Sequence, residues 1–156
     1  MCIRDRDNKG NCTYGGRCRN KCVVYCITCN STGKQYIGAT QQNAKARMSG
    51  HFADVKKLVC NNVRTDTYAS HFSQFFNTST NKPTSAKLRN ISSFKILWQG
   101  KIISLMKTFG THQCRLCMKE RLEILRTHTK SPEKLINSCT EIYGSCRHKS
   151  SFHRYL

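Results

Sequence analysis

The stretch VVYCITCNSTGKQYIGATQQNAKARMSGH, residues 23–51, decides the fold. Val23–Thr28 is rich in β-branched and aromatic residues and predicts a strand. Asn30-Ser31-Thr32-Gly33 predicts a turn. Lys34–Ile37 predicts a second short strand, so the pair forms a hairpin. Gly38-Ala39-Thr40 ends it, with Thr40 as the expected N-cap of a helix. From Gln41 to about Val59, the apolar residues Ala44, Met48, Phe52, Val55 and Val59 recur at helical spacing. Gly50 weakens that helix by about 1 kcal/mol relative to Ala. Arg47 and His51, four apart, share a face beside the apolar stripe. Two tyrosines, an arginine and a histidine therefore fall close together, a set suited to chemistry on an anion such as a phosphodiester.

Residues 60–92 are rich in Asn, Thr and Ser, with one short aromatic helix expected around Tyr68–Phe76 and a loop at Pro83. Ser93–Gln99 alternates polar and apolar and predicts a third strand, ended by Gly100. Thr111–Thr129 predicts the second clear helix, with Cys117, Glu120 and Ile124 on one face. Pro132 stops it, and Leu135-Ile136-Asn137 follows. The pattern predicts an α+β fold, a small three-stranded antiparallel sheet flanked by helices. Residues 1–22 read as an irregular, Cys-containing arm, 23–148 as the domain and 149–156 as a basic tail. Met1–Arg6 (MCIRDR) reads as the translated end of a sequencing-library adapter, so the chain is expected to be a C-terminal piece of a longer protein.

The chain carries 27 Lys+Arg against 8 Asp+Glu, a formal net charge of +19 over 156 residues. So large an imbalance repels itself, and a polyanionic partner, DNA or RNA, is the economical explanation. The alternative is a basic solvated surface, as in some small secreted proteins. The longest apolar run, Val23–Ile27, is too short to span a bilayer, and the polar start has no signal-peptide pattern. An intracellular protein without a membrane partner is expected, nuclear if the cell is eukaryotic.

Phosphodiester hydrolysis needs an activated water, positive charge on the developing phosphorane and a metal on the oxygens. Tyr25 and Tyr36 could relay a proton or orient water, and Arg47 could grip phosphate through paired hydrogen bonds. Carboxylates are scarce, so Glu120 is the pointed candidate for a Mg²⁺ ligand. The plainer reading makes both tyrosines strand aromatics and Arg47 one of many basic surface residues.

The eleven cysteines include two C-x-x-C pairs, Cys26/Cys29 and Cys114/Cys117, a spacing that lets two thiolates share a tetrahedral zinc. The first pair could recruit His51 or His71, the second Cys146 and His148. The alternative is reduced thiols packed as small hydrophobes.

VVY at 23–25, YIG at 36–38, Arg47 and His51, Glu120 in CRLCMKERLEIL and Asn137 in LIN together resemble a GIY-YIG nuclease domain. The first motif lacks that family's Gly, and Ala39 follows YIG. The Cys26/Cys29 pair between the tyrosine motifs is similar to the endonuclease of Penelope-like retroelements, where such a pair joins two downstream histidines. The resemblance implies a metal-dependent DNA endonuclease that nicks target DNA for a mobile element, as part of a longer protein with a reverse transcriptase. It implies that Tyr25 and Tyr36 line the cleft, Arg47 stabilises phosphorane charge and His51 accepts a proton or orients a Tyr. Glu120 would bind Mg²⁺ or Mn²⁺, Asn137 would support the site, and Lys34 would add a phosphate contact. With His51 in a catalytic role, His71 is the firmer structural-zinc ligand beside Cys26 and Cys29. Cys114, Cys117, Cys146 and His148 form the second expected zinc set. A non-catalytic, zinc-stabilised nucleic-acid-binding module is the alternative.

Overall fold

A computed structural model describes residues 11–12, 14–63, 66–100, 105–108, 111–138, 140–143 and 146, with the backbone alone at 105–108 and 111–113. The fold is α+β. Strand β1 (Val23–Cys29) pairs antiparallel with β2 (Gln35–Thr40) on one side and with β3 (Ser92–Gln99) on the other, giving the order β2-β1-β3. The β1–β2 turn closes through Gly33 at φ 69°, a left-handed conformation that glycine adopts without a Cβ penalty. A register shift in the β1–β3 pairing falls between Val24 and Tyr25.

The central strand is buried on both faces, and strand alternation sorts its side chains. Val23, Tyr25, Ile27 and Cys29 enter one core with Tyr36, Met48, Phe52, Val55, Tyr68 and Phe72. Val24 and Cys26 enter a second core with Ile37, Ala39, Leu116, Cys117 and Ile124. Helix α1 (Ala44–Asn61) covers the first face, burying Ala44, Met48, His51, Phe52 and Val55. Helix α2 (Thr67–Ser73) packs beside it, and α3 (Ser85–Asn90) leads into β3. Strands β4 (Leu105–Thr108) and β5 (Thr111–Cys114) form a separate hairpin running into helix α4 (Arg115–Lys130). Helix α4 buries Leu116, Cys117, Glu120 and Ile124 against the second face. A 3₁₀ turn, Pro132–Lys134, and a short helix α5 (Thr140–Tyr143) complete the described chain.

Several elements differ from their expected places. Thr40 ends β2, and Asn43 caps α1 instead, its Oδ1 accepting the Ala46 N–H at 2.8 Å. The second clear helix begins at Arg115, because Thr111–Cys114 pairs with β4. The polar segment 60–92 holds two capped helices where only one was expected. Among the described residues, no helix is long and apolar enough to cross a membrane.

Candidate active site

Tyr25 sits in the middle of the central strand, opposite Gly38 in the β1–β2 register. Its side chain is fully buried and stacks on Phe94, ring centroids 5.5 Å apart. Helix α1 faces this side of the sheet and brings two of its residues to the Tyr25 hydroxyl. His51 Nε2 lies 2.7 Å from that oxygen, and Arg47 Nε donates to it at 3.1 Å. The 3.6-residue repeat places both on one helix face.

A fourth group joins from α2. Asp66 caps that helix, Oδ1 accepting the Ala69 N–H at 2.9 Å, and its Oδ2 stands 3.5 Å from His51 Nδ1. That is a charge contact at the limit of hydrogen bonding. The order of donors follows. Arg47 can only donate, so the Tyr25 oxygen accepts from it, and a carboxylate beside Nδ1 favours the proton on that nitrogen. Nε2 is then the acceptor for the Tyr25 hydroxyl. Burial pushes the His51 pKa down, against the pull of the Asp66 carboxylate beside Nδ1, and so favours a neutral ring able to take a proton. For Asp66, burial pulls upward, but the contact with His51 and the Ala69 N–H outweigh it and hold the carboxyl below its ordinary value. Arg47 is half-buried. Burial works against its charge, but Tyr25, Tyr36 and Asp66 outweigh that and hold its proton more firmly than in water.

Tyr36 reaches the same site from β2. Its ring meets His51 edge-on at 5.3 Å and Tyr68 at 5.5 Å, and Tyr68 tilts over His51 at 4.3 Å. Burial, then the neighbouring Tyr25, Asp66 and Glu141, raise the Tyr36 pKa well above that of a free phenol, with Arg47 opposing. Tyr36 is thus a neutral phenol that can orient a ligand. The structure brings together Tyr25, Tyr36, Arg47 and His51, all singled out in the sequence, and adds Asp66 and Glu141, which were not.

Asn137, expected to support the site, bonds to the strand that carries Tyr36. Leu135 bridges Gln35 at the outer edge of β2, and Ile136 N–H donates to the Gln35 carbonyl at 2.8 Å. One residue on, the Asn137 amide takes the place of a strand. Its Oδ1 accepts the Ile37 N–H at 2.7 Å, and its Nδ2 donates to the Ile37 carbonyl at 2.7 Å. The same Nδ2 donates to Glu141 Oε2 at 2.7 Å, while Glu141 Oε1 accepts from Thr67 Oγ1 and the Ser138 N–H, both at 3.1 Å. Asn137 and Glu141 therefore lock the C-terminal segment onto the strand that carries Tyr36.

Glu120 is buried at 6% exposure on the α4 stripe between Leu116 and Ile124. Helix α4 approaches from the sheet face opposite Tyr25 and Tyr36. Lys34 is exposed at the hairpin tip.

The first expected zinc set is not assembled. Cys26 and Cys29 both lie within β1, and an odd separation along a strand sends them to opposite faces, one into each core. Two thiols on opposite sides of a sheet cannot share one ion. His71 Nε2 instead lies 3.3 Å from Thr32 Oγ1 at the hairpin turn. The second set is assembled in part: the ligand atoms of Cys114, Cys117 and Cys146 lie within 4.8 Å of one another. His148, the fourth expected member, lies outside the described residues.

Residues 21–88 match the family model of the GIY-YIG catalytic domain. A match to that family implies nuclease activity in general. The matched span holds Tyr25, Tyr36, Gly38, Arg47, His51 and Asp66, whereas Glu120, Asn137 and the three-thiol cluster lie beyond it. No curated protein and no solved structure matches the chain.

Proposed function

We propose that the chain is a metal-dependent DNA endonuclease that nicks target DNA for a mobile element, acting with a reverse transcriptase in a longer protein and, in a eukaryotic cell, in the nucleus. The observation that carries this reading is the run of contacts Asp66···His51···Tyr25···Arg47, built across two helices and a strand. It joins a proton acceptor, a hydroxyl and a cation in one line. Neutral His51 receives the proton that the attacking water gives up through Tyr25, and Asp66 holds the imidazole in the accepting tautomer. Arg47, the half-buried member, offers its remaining guanidinium N–H groups to the phosphate oxygens. Tyr36, held as a phenol, orients the water. Lys34 and the large net positive charge draw in the polyanion.

Glu120 offers a carboxylate oxygen, a donor that fits Mg²⁺ or Mn²⁺, and a single carboxylate suits a cation that keeps several of its waters. When bound, such an ion would supply positive charge, but from the sheet face opposite Tyr25 and Tyr36, where Glu120 is buried beside Leu116 and Ile124.

One observation favours the non-catalytic, nucleic-acid-binding alternative: α4 packs on the face away from the tyrosines. Relaxation of supercoiled plasmid by the full chain in Mg²⁺ separates the two. Nicking that disappears in Tyr25→Phe supports the enzyme. DNA retained without nicking supports the binding module.

A further inference from the structure

Cys114 is the last residue of β5 and the N-cap of α4, its Sγ accepting the Cys117 N–H at 3.3 Å. Cys117 lies in the first turn of the same helix. Cys146, beyond α5, folds back to meet both. The three side chains are buried, at 0%, 2% and 5% exposure, and none is in a disulfide. Their sulfurs lie within 4.8 Å of one another. Tetrahedral zinc–thiolate bonds of about 2.3 Å require sulfur separations of about 3.8 Å, so closure onto one ion needs shifts of the order of an ångström.

From this geometry we infer that Cys114, Cys117 and Cys146 supply three ligands of a structural site for a soft divalent cation of the zinc class. The chain reaches Cys146 through Asn137, which bonds to both backbone groups of Ile37 beside Tyr36, and Glu141, which accepts from Asn137. Among the described residues, Leu135, Ile142 and Cys146 of that segment pack on the second core, beside the polar contacts of Asn137 and Glu141. With an ion bound, a coordinate bond fixes the segment's far end to α4, and the clamp on β2 is tied down at both ends. The site lies outside the tyrosine cluster and needs no nuclease activity to exist.

The test uses the full chain, expressed with zinc in the medium and purified under reducing conditions, with native mass spectrometry and elemental analysis. The expected result is one zinc per chain, retained in Cys26→Ala and Cys29→Ala and lost in Cys117→Ser and Cys146→Ser. Should the serine variants fail to fold, cobalt exchange into the wild-type chain gives a second readout, a thiolate-to-cobalt charge-transfer band. Removing the ion with a chelator should speed hydrogen exchange at the Ile37 amide while amides in the middle of α1 hold steady. A metal-free wild-type protein, a disulfide among the three cysteines, or zinc retained after both serine substitutions would overturn the site. Unchanged Ile37 exchange would overturn its link to the clamp. None of these readouts depends on cleavage, so a catalytically silent chain leaves the inference standing.

Discussion

The hydroxyl of Tyr25 rests directly on the backbone of Gly38: a Cβ at residue 38 would stand 2.5 Å from that oxygen and 2.6 Å from Cζ. The two residues are cross-strand partners, and the absent side chain is what lets the phenol lie down toward His51 and Arg47. Gly38→Ala should therefore push the ring off its present position and break both hydrogen bonds. Overpacking of this kind costs about 1–3 kcal/mol. Denaturant midpoints should fall accordingly, and nicking should be lost at temperatures where the variant is still folded.

Asn137 satisfies both backbone groups of Ile37, and removing it leaves a buried donor and acceptor without partners. Asn137→Ala should cost about 2–6 kcal/mol, at about 1–3 kcal/mol for each of the two orphaned groups. Asn137→Asp is the sharper variant. It keeps an acceptor for the Ile37 N–H but sets a second carboxylate against Glu141, 2.7 Å from the present amide nitrogen. Its deficit should be largest near neutral pH and shrink as the pH falls and a carboxyl protonates, which urea unfolding at several pH values would show.

His51 makes stability depend on pH with a definite sign. Its folded-state pKa is below the ordinary 6.5, chiefly through burial. The unfolded chain therefore takes up a proton first as the pH drops. The contribution of a neutral His51 is complete above about 6.5 and is lost as the pH falls from there through the depressed folded value. His51→Gln should flatten this part of the stability profile relative to the wild type. Parallel profiles for the two proteins between pH 7 and pH 5 would contradict the assignment.

The hairpin, α1, β3 and the tyrosine-arginine-histidine set were legible because each rests on local signals: strand alternation, a helical stripe, a Gly turn. Asp66 was not, because it sits in a polar stretch with no periodicity, and only the docking of α2 on α1 brings its carboxylate to His51. Glu141 reaches Tyr36 in the same way, through a segment that pairs with β2 from far along the chain. The Cys26/Cys29 spacing misled for a related reason. A C-x-x-C pair chelates from a turn or a helix start, and β1 runs one residue further than expected, through Cys29, which puts the two thiols back to back. Cys114/Cys117 has the same spacing at a helix start, and there the thiols do converge.

Arg47 donates Nε to Tyr25, and in the proposed reaction its other N–H groups would meet the phosphate, a division that an ammonium cannot reproduce. Arg47→Lys should leave the fold close to wild-type stability. Nicking should fall by about 10²–10³-fold, the usual effect of losing a preorganised donor at a developing charge. Plasmid nicking rates beside thermal unfolding curves would separate the two effects.

The most direct measurement is the rate at which the full chain nicks supercoiled plasmid in Mg²⁺, beside Glu120→Gln, which keeps the shape of the buried side chain and replaces its carboxyl with an amide. The account predicts nicking by the wild type that stops when Mg²⁺ is chelated. It also predicts a loss of at least about 100-fold in Glu120→Gln, the scale of removing charge stabilisation from a transition state. A wild-type chain that binds plasmid without nicking it in Mg²⁺ or Mn²⁺, or a Glu120→Gln variant that nicks at the wild-type rate, would contradict it.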